Sequence, residues 1–105
     1  MREAMRIVST RFHEPHFRVS DLARAVRLSE THLSRLVRRE TGVSIRQHVV
    51  RFRMEAALTY LRSSFLSVKE IAAAVGYSST SSFDHEFARR FGTAPKQWRN
   101  GHSQF

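Results

Sequence analysis

One pattern is written twice in this chain. LARAVRL at residues 22–28 returns as IAAAVGY at 71–77, and each copy runs into a Ser-rich start of a second amphipathic segment. Leu22, Ala23 and Val26 match Ile71, Ala72 and Val75 at a spacing of 49. Leu33 and Val37 match Phe83 and Phe87 at a spacing of 50, so the one-residue slip falls in the turn. A short helix with small residues where a neighbour must approach, a tight turn and a second helix make a helix-turn-helix unit. Its repetition predicts an all-α chain with two such lobes, each presenting a recognition helix to the same duplex.

The remaining segments fit that frame. Residues 3–12 read as a helix with Ala4, Ile7, Val8 and Phe12 inward, ending before Pro15. Ser20 is the expected N-cap of a short helix over 21–26, with Asp21 at its first position, where a negative charge complements the macrodipole. Ser29 caps the next helix, 30–40, which buries Leu33, Leu36 and Val37. Lobe one thus spans about 3–43 and lobe two about 67–100, with a connecting helix over 44–63. That connector opens on a Ser44/Gln47 capping box, and its apolar residues Ile45, Val49, Met54, Ala57, Leu58 and Leu61 read as one stripe at three- and four-residue steps. Twenty helical residues span about 30 Å, close to the roughly 34 Å that separates successive major-groove faces.

Ser67 and Glu70 form a second capping box, Gly76 supplies a left-handed turn residue, and Ser79 caps a helix that buries Phe83, Phe87 and Phe91. Arg27 stands where the second turn has glycine, which costs on the order of 1 kcal/mol if the geometry is kept. The tail GTAPKQWR is expected to close the core with a short helix under Trp98, leaving GHSQF frayed.

Composition narrows the partner. The 105 residues form a single domain carrying 18 Lys and Arg against 9 Asp and Glu, a formal charge of +9. Residues 1–43 hold nine basic and five acidic groups, 44–66 four and one, and 67–105 five and three. An excess spread over both lobes and the connector suits a long polyanion, because each neutralised phosphate releases condensed counterions. The absence of cysteine excludes disulfides, thiolate ligands and thiol nucleophiles. The six histidines are scattered, and the close pair His13 and His16 flanks Pro15, so one helical face cannot present both. No metal or cofactor is implied, and there is no paired acid and nucleophile or phosphate-cradling glycine loop to indicate an enzyme. With no apolar run of membrane-spanning length and no signal-peptide core, a cytoplasmic location is expected.

IAAAVGYSSTSSFDHEFARRFGTAPKQWR resembles the signature of the AraC/XylS transcriptional regulators: a Gly-aromatic turn, a Ser-rich helix start, a Phe-containing recognition helix, a Gly and a Pro-x-x-aromatic-Arg end. LSETHLSRLVRRETGVSIRQHVVRFRMEAA is similar to the family's first half, with its Ser-x-x-x-Leu, Arg-Glu-Thr-Gly and Arg-x-x-x-Ala features. The match covers about 18–100. It implies seven helices in two helix-turn-helix lobes joined by a long helix, binding an asymmetric two-part DNA site as a monomer or through a dimerising partner domain. It also implies activation of transcription by contact with RNA polymerase.

Carried over by position, the family's base-reading residues fall on Thr31, Ser34 and Arg35 in the first recognition helix and on Thr80, Ser81, Ser82 and His85 in the second. Periodicity agrees, since 31, 34, 35 and 38 share one helical face, as do 80, 81, 84, 85 and 88. Arg35 is the leading base reader, because a guanidinium can donate twice to guanine O6 and N7. Phosphate contacts are expected from Arg38, Lys96 and Arg99, helped by the helix N-termini at Ser29 and Ser79. Asp84, Glu86 and Ala88 depart from the family pattern, in which basic or neutral residues are common, and acidic groups near a groove repel phosphate. The first lobe is therefore expected to dominate affinity.

Three alternatives stay open. The chain is either a compact stand-alone regulator starting at Met1 or the C-terminal module of a longer, effector-responsive protein. Its acidic second recognition helix also fits a protein-interaction module that kept the fold, and its basic surface fits nonspecific architectural DNA binding.

Overall fold

The structure, a computed structural model, describes residues 2–103 as seven helices. In order they are α1 Arg2–Arg11, α2 Val19–Val26, α3 Glu30–Thr41, α4 Ile45–Ser63, α5 Val68–Val75, α6 Thr80–Phe91 and α7 Pro95–His102. Met1, Gln104 and Phe105 lie outside the described residues, so the expectation of a frayed end can be set only against Gly101, His102 and Ser103. Ser103 caps α7, its N–H donating to the Arg99 carbonyl at 2.8 Å, and the two residues before it are helical. His102 stacks on Trp98 at 4.0 Å between ring centroids.

The expected local signals operate at most ends. Ser44 and Gln47 close a reciprocal box, with the Ser44 N–H donating to Gln47 Oε1 at 2.7 Å and the Gln47 N–H to Ser44 Oγ at 3.1 Å. Ser67 and Glu70 repeat it at 2.8 and 3.1 Å. Arg27 adopts the left-handed conformation at φ 60, ψ 42, as Gly76 does at φ 112. The start of α2 departs from expectation. Arg18, not Ser20, is the N-cap, and Asp21 stands at the third helical position, its Oδ2 accepting the Arg18 N–H at 2.9 Å. A carboxylate at the third helical position thus satisfies the N–H of the N-cap residue, the return half of a capping box, and the helix starts two residues earlier than a Ser20 cap would set.

The connecting helix differs from the single stripe expected. Ile45, Val49 and Phe52 join a core with Ala4, Val8, Phe17, Leu22, Leu33 and Val37. Val50, Met54, Ala57 and Leu61 join a second core with Ile71, Val75, Phe83 and Phe87. At 100° per residue these sets lie on nearly opposite faces. The five-residue step from Val49 to Met54 marks the change of face. α4 is therefore a shared wall of two cores, in a molecule measuring 44 × 22 × 22 Å.

Two arginines tie helix ends that sequence neighbours leave open. Arg53 of α4 donates to the carbonyls of Phe12 (2.8 Å) and Glu14 (3.1 Å) just after α1. Arg99 of α7 donates to the carbonyls of Leu61, Tyr60 and Ser64 at the end of α4, at 3.1, 3.3 and 3.2 Å. The last carbonyls of a helix lack intrahelical partners, and a cationic donor both bonds them and complements the dipole.

In the second core Phe83 and Phe87 are fully buried, with ring centroids 5.8 Å apart, and Trp98 meets Phe87 edge-on at 6.4 Å. Leu36 and Phe91, expected inside, are only half-buried. His48 was not anticipated in the core, yet it is 7% exposed. Its Nε2 lies 2.8 Å from Thr41 Oγ1, whose own proton goes to the Val37 carbonyl at 2.7 Å, and its Nδ1 faces the Arg51 guanidinium at 3.4 Å. This network fits a neutral ring that donates from Nε2 and accepts at Nδ1.

Two measurements follow. Phe87→Ala should lower unfolding free energy by about 3–5 kcal/mol in urea titrations, through lost burial and the cavity left behind. Burial, reinforced by the Arg51 charge, holds the His48 pKa below its ordinary 6.5. The unfolded chain thus takes up this proton before the folded one as pH falls, so stability is full above about 6.5 and declines below it. The thermal midpoint should drop between pH 7.5 and 5.5, and His48→Gln should shrink that drop.

Candidate nucleic-acid interface

In α3 the buried Leu33 and Val37 turn the opposite face outward, and Thr31, Ser34, Arg35 and Arg38 are exposed on it. All four line one open depression together with Glu30. Thr31 and Arg35 also border its neighbour, with Ser29, His32, Leu36 and Arg39. Glu30 and Glu40 flank Arg35 on the same helix, five residues to either side. Among the described residues Arg35 makes no ion pair, and neither do Arg38 and Arg39. Three guanidinium groups on one helix thus keep their donors for a ligand. Ser29 is the N-cap, its hydroxyl accepting the His32 N–H at 3.1 Å, so an anion there would meet other N–H groups of the first turn.

The α6 face is chemically different. Ser81, Ser82 and His85 are exposed and Thr80 is half-buried. Ser79 Oγ accepts the Ser82 N–H at 3.0 Å and donates to Ser82 Oγ at 3.0 Å, which couples these hydroxyls within the cap. Ser82 keeps its own hydroxyl proton for a partner, whereas Ser81 is free of the network.

The acidic residues of α6 do not sit as expected. Glu86 is on the flank toward α4, ion-paired to Arg89 at 3.4 Å, its side chain 16% exposed. There it borders a groove of about 250 Å³ with Arg46, Arg51 and Arg90, so its charge is balanced within the protein. Asp84 is half-buried, with Oδ1 enclosed and unpartnered. Of the two supposed repulsions only that of Asp84 remains, which makes no ion pair among the described residues. The expected weakness of the second lobe rests more on the reading face of α6, which lacks the arginines of α3.

Lys96 is exposed in the first turn of α7 and makes no ion pair among the described residues. Arg99 is half-buried, and its Nε and Nη2 donate to the Leu61, Tyr60 and Ser64 carbonyls at the end of α4, which leaves Nη1 for the expected phosphate contact. Sequence reasoning missed Arg46. It is exposed in the first turn of the helix that follows α3, as Lys96 is in the helix that follows α6. The signal was available, since Arg46-Gln47 precedes Lys96-Gln97 by 50 residues, the spacing already seen for the recognition helices. Among the described residues no group of three His, Cys, Asp or Glu side chains could hold a metal ion.

Two N-capped recognition helices mounted on one shared helix define a tandem helix-turn-helix domain. A family model described as a helix-turn-helix domain matches residues 22–101. The chain is 36% identical over 72 residues to the HTH-type transcriptional activator RhaR of Cronobacter sakazakii, covering 69% of this chain and 25% of that protein. Among solved structures, the C-terminal domain of AraT, a response regulator from Geobacillus stearothermophilus, superposes with a TM-score of 0.96 at 29% identity, covering 99% of this chain and 86% of that one. The DNA-binding domain of AdpA, a global transcriptional factor solved with a target DNA, gives 0.88 at 28% identity, covering 94% and 88%. The chain belongs to the AraC/XylS family of helix-turn-helix domains. It spans less than a third of the length of the curated relatives it matches.

If the α3 arginines carry the recognition, Arg35→Ala should weaken binding to a preferred duplex by about 1–3 kcal/mol, roughly 5- to 150-fold. His85→Ala should cost distinctly less in the same titration, and equal losses would refute the ordering of the lobes.

Proposed function

We propose that this chain is the DNA-binding region of a bacterial transcription regulator, reading two adjacent major-groove segments with α3 and α6. One observation carries the reading: two capped helices with exposed polar faces are packed into the two cores that share a single 19-residue helix, about 28 Å long, comparable to the roughly 34 Å between groove faces on one side of a duplex. Thr31, Ser34 and Arg35 read bases in the first segment, and Thr80, Ser81, Ser82 and His85 in the second. Arg38, Lys96 and Arg46 hold phosphates, with the helix N-termini at Ser29 and Ser79. The likeness to the transcriptional activator RhaR and to the DNA-bound domain of AdpA supports this role, as does the net charge of +9. The chain acts in the cytoplasm, activates transcription by contacting RNA polymerase, and binds as a monomer or through a dimerising domain elsewhere in its protein. Among the described residues no helix is long and apolar enough to cross a membrane. No catalytic activity and no cofactor belong to this reading.

Selection of bound sequences from a randomised duplex pool at about 150 mM salt, where nonspecific binding is suppressed, tests it. The expected result is a motif of two blocks about one helical turn apart. Binding that collapses with salt equally on every sequence would indicate an architectural protein, and no binding at all would favour an interaction module.

A further inference from the structure

Arg53 stands where three parts of the molecule meet. It lies in the middle of α4, between the residues that serve the first core and those that serve the second. Its guanidinium reaches across to lobe one, donating to the carbonyls of Phe12 and Glu14, 41 and 39 residues away. The same group sits over the Tyr77 ring of lobe two, 5.3 Å from its centroid. Tyr77 in turn packs edge-on against the fully buried Phe83 of α6, at 5.6 Å. A short chain of contacts therefore runs from the end of α1 through one guanidinium to the second recognition helix.

Gly76 belongs to the same junction. A Cβ there would lie 2.8 Å from Arg53 Nε and 3.0 Å from the Phe12 carbonyl oxygen. The position demands glycine twice, for its φ of +112 and for the room that the guanidinium and the carbonyl occupy. Gly92 is left-handed too, at φ +78, nearer the region an alanine tolerates, and nothing lies within 4 Å of a Cβ built on it. Gly92→Ala thus controls for loss of a left-handed glycine away from the junction, and a change at Arg53 tests the junction with no backbone strain.

Resting on the proposed reading of two groove segments, we propose that Arg53 is a positioning residue that sets the relative placement of the two recognition helices and so selects the spacing between the two DNA blocks. α4 alone fixes the distance between lobes along its axis. Rotation of lobe two about α4, against lobe one, is resisted by contacts that cross the junction, and the Arg53 guanidinium makes them to both sides. One inserted base pair moves the second block by about 3.4 Å and turns it by about 35°, so spacing selection demands that the junction resist such a rotation.

The test compares wild type, Arg53→Met, Gly76→Ala and the strain control Gly92→Ala on duplexes carrying the selected blocks at the preferred spacing and with one base pair added or removed. Wild type and G92A should favour the preferred spacing by roughly tenfold or more, because misplaced blocks cannot be engaged together. R53M and G76A should narrow that preference to about threefold while keeping the base preferences of each block. Arg53→Lys, which keeps the charge but cannot bond both carbonyls in a fixed fork, serves if R53M does not fold. A DNA-free readout accompanies it: the chain has no native cysteine, so spin labels at Ala25→Cys and Ala73→Cys, both exposed, report the distance between lobes. Its distribution should broaden in R53M or R53K and in G76A, and stay as in wild type in G92A. Unchanged distance distributions together with an unchanged spacing preference would overturn the positioning role. A wild-type protein with no preferred duplex would overturn the DNA reading, and a broadened distribution in that case would leave the junction itself established.

Discussion

Both cores are built against one helix, and everything else in the molecule follows from that sharing. Each lobe amounts to about forty residues, a size at which a single hydrophobic core rarely holds alone. α4 relieves this by giving its first half to one core and its second half to the other, on nearly opposite faces. The two recognition helices are consequently not tethered modules but projections of one continuous body, whose termini are closed by Arg53 at the end of α1 and Arg99 at the end of α4. The same architectural step, a helix end sealed by an arginine from a later helix, occurs once in each lobe.

What the sequence made legible was local. The capping boxes at Ser44 and Ser67, the glycine turn at Gly76 and the buried Phe83 and Phe87 are each specified by residues within about one helical turn, and they stand where their spacing put them. The strain at Arg27 was legible for the same reason, because the repeat supplied Gly76 for comparison. The misread features act at a distance or in competition. Arg53 and Arg99 bond carbonyls more than thirty residues away, and no periodicity encodes that. His48 looked like one scattered histidine among six until Thr41 came into reach through the α3–α4 turn. At α2 the serine expected as the cap lies inside the helix, because Asp21 at the third position accepts the N–H of Arg18 and moves the start back.

The candidate interface was legible as a set of positions more than as an electrostatic surface. Sequence identified the outward faces of α3 and α6, but read the charges of α6 as if every acidic group faced outward. In three dimensions Glu86 turns to Arg89 and to the arginines of α4, which removes one supposed repulsion, and Arg99 commits its Nε and Nη2 to carbonyls, which leaves less of it for a phosphate. What remains is an asymmetry of donors: arginines without ion pairs on α3, hydroxyls and one imidazole on α6. Guanidinium forks favour bidentate recognition, whereas hydroxyls accept and donate with less discrimination.

The shared helix has a further consequence in kinetics. When one lobe engages an elongated partner, the other is already held beside its own site, and its encounter becomes intramolecular at an effective concentration set by the connector. A floppy linker would dilute that concentration over many orientations, whereas a helix packed into both cores confines it to very few. Partial release of one lobe is then followed by rapid recapture. Residence on a partner that offers both sites in register would be prolonged far beyond what either lobe achieves alone, and a partner that offers only one would be left quickly.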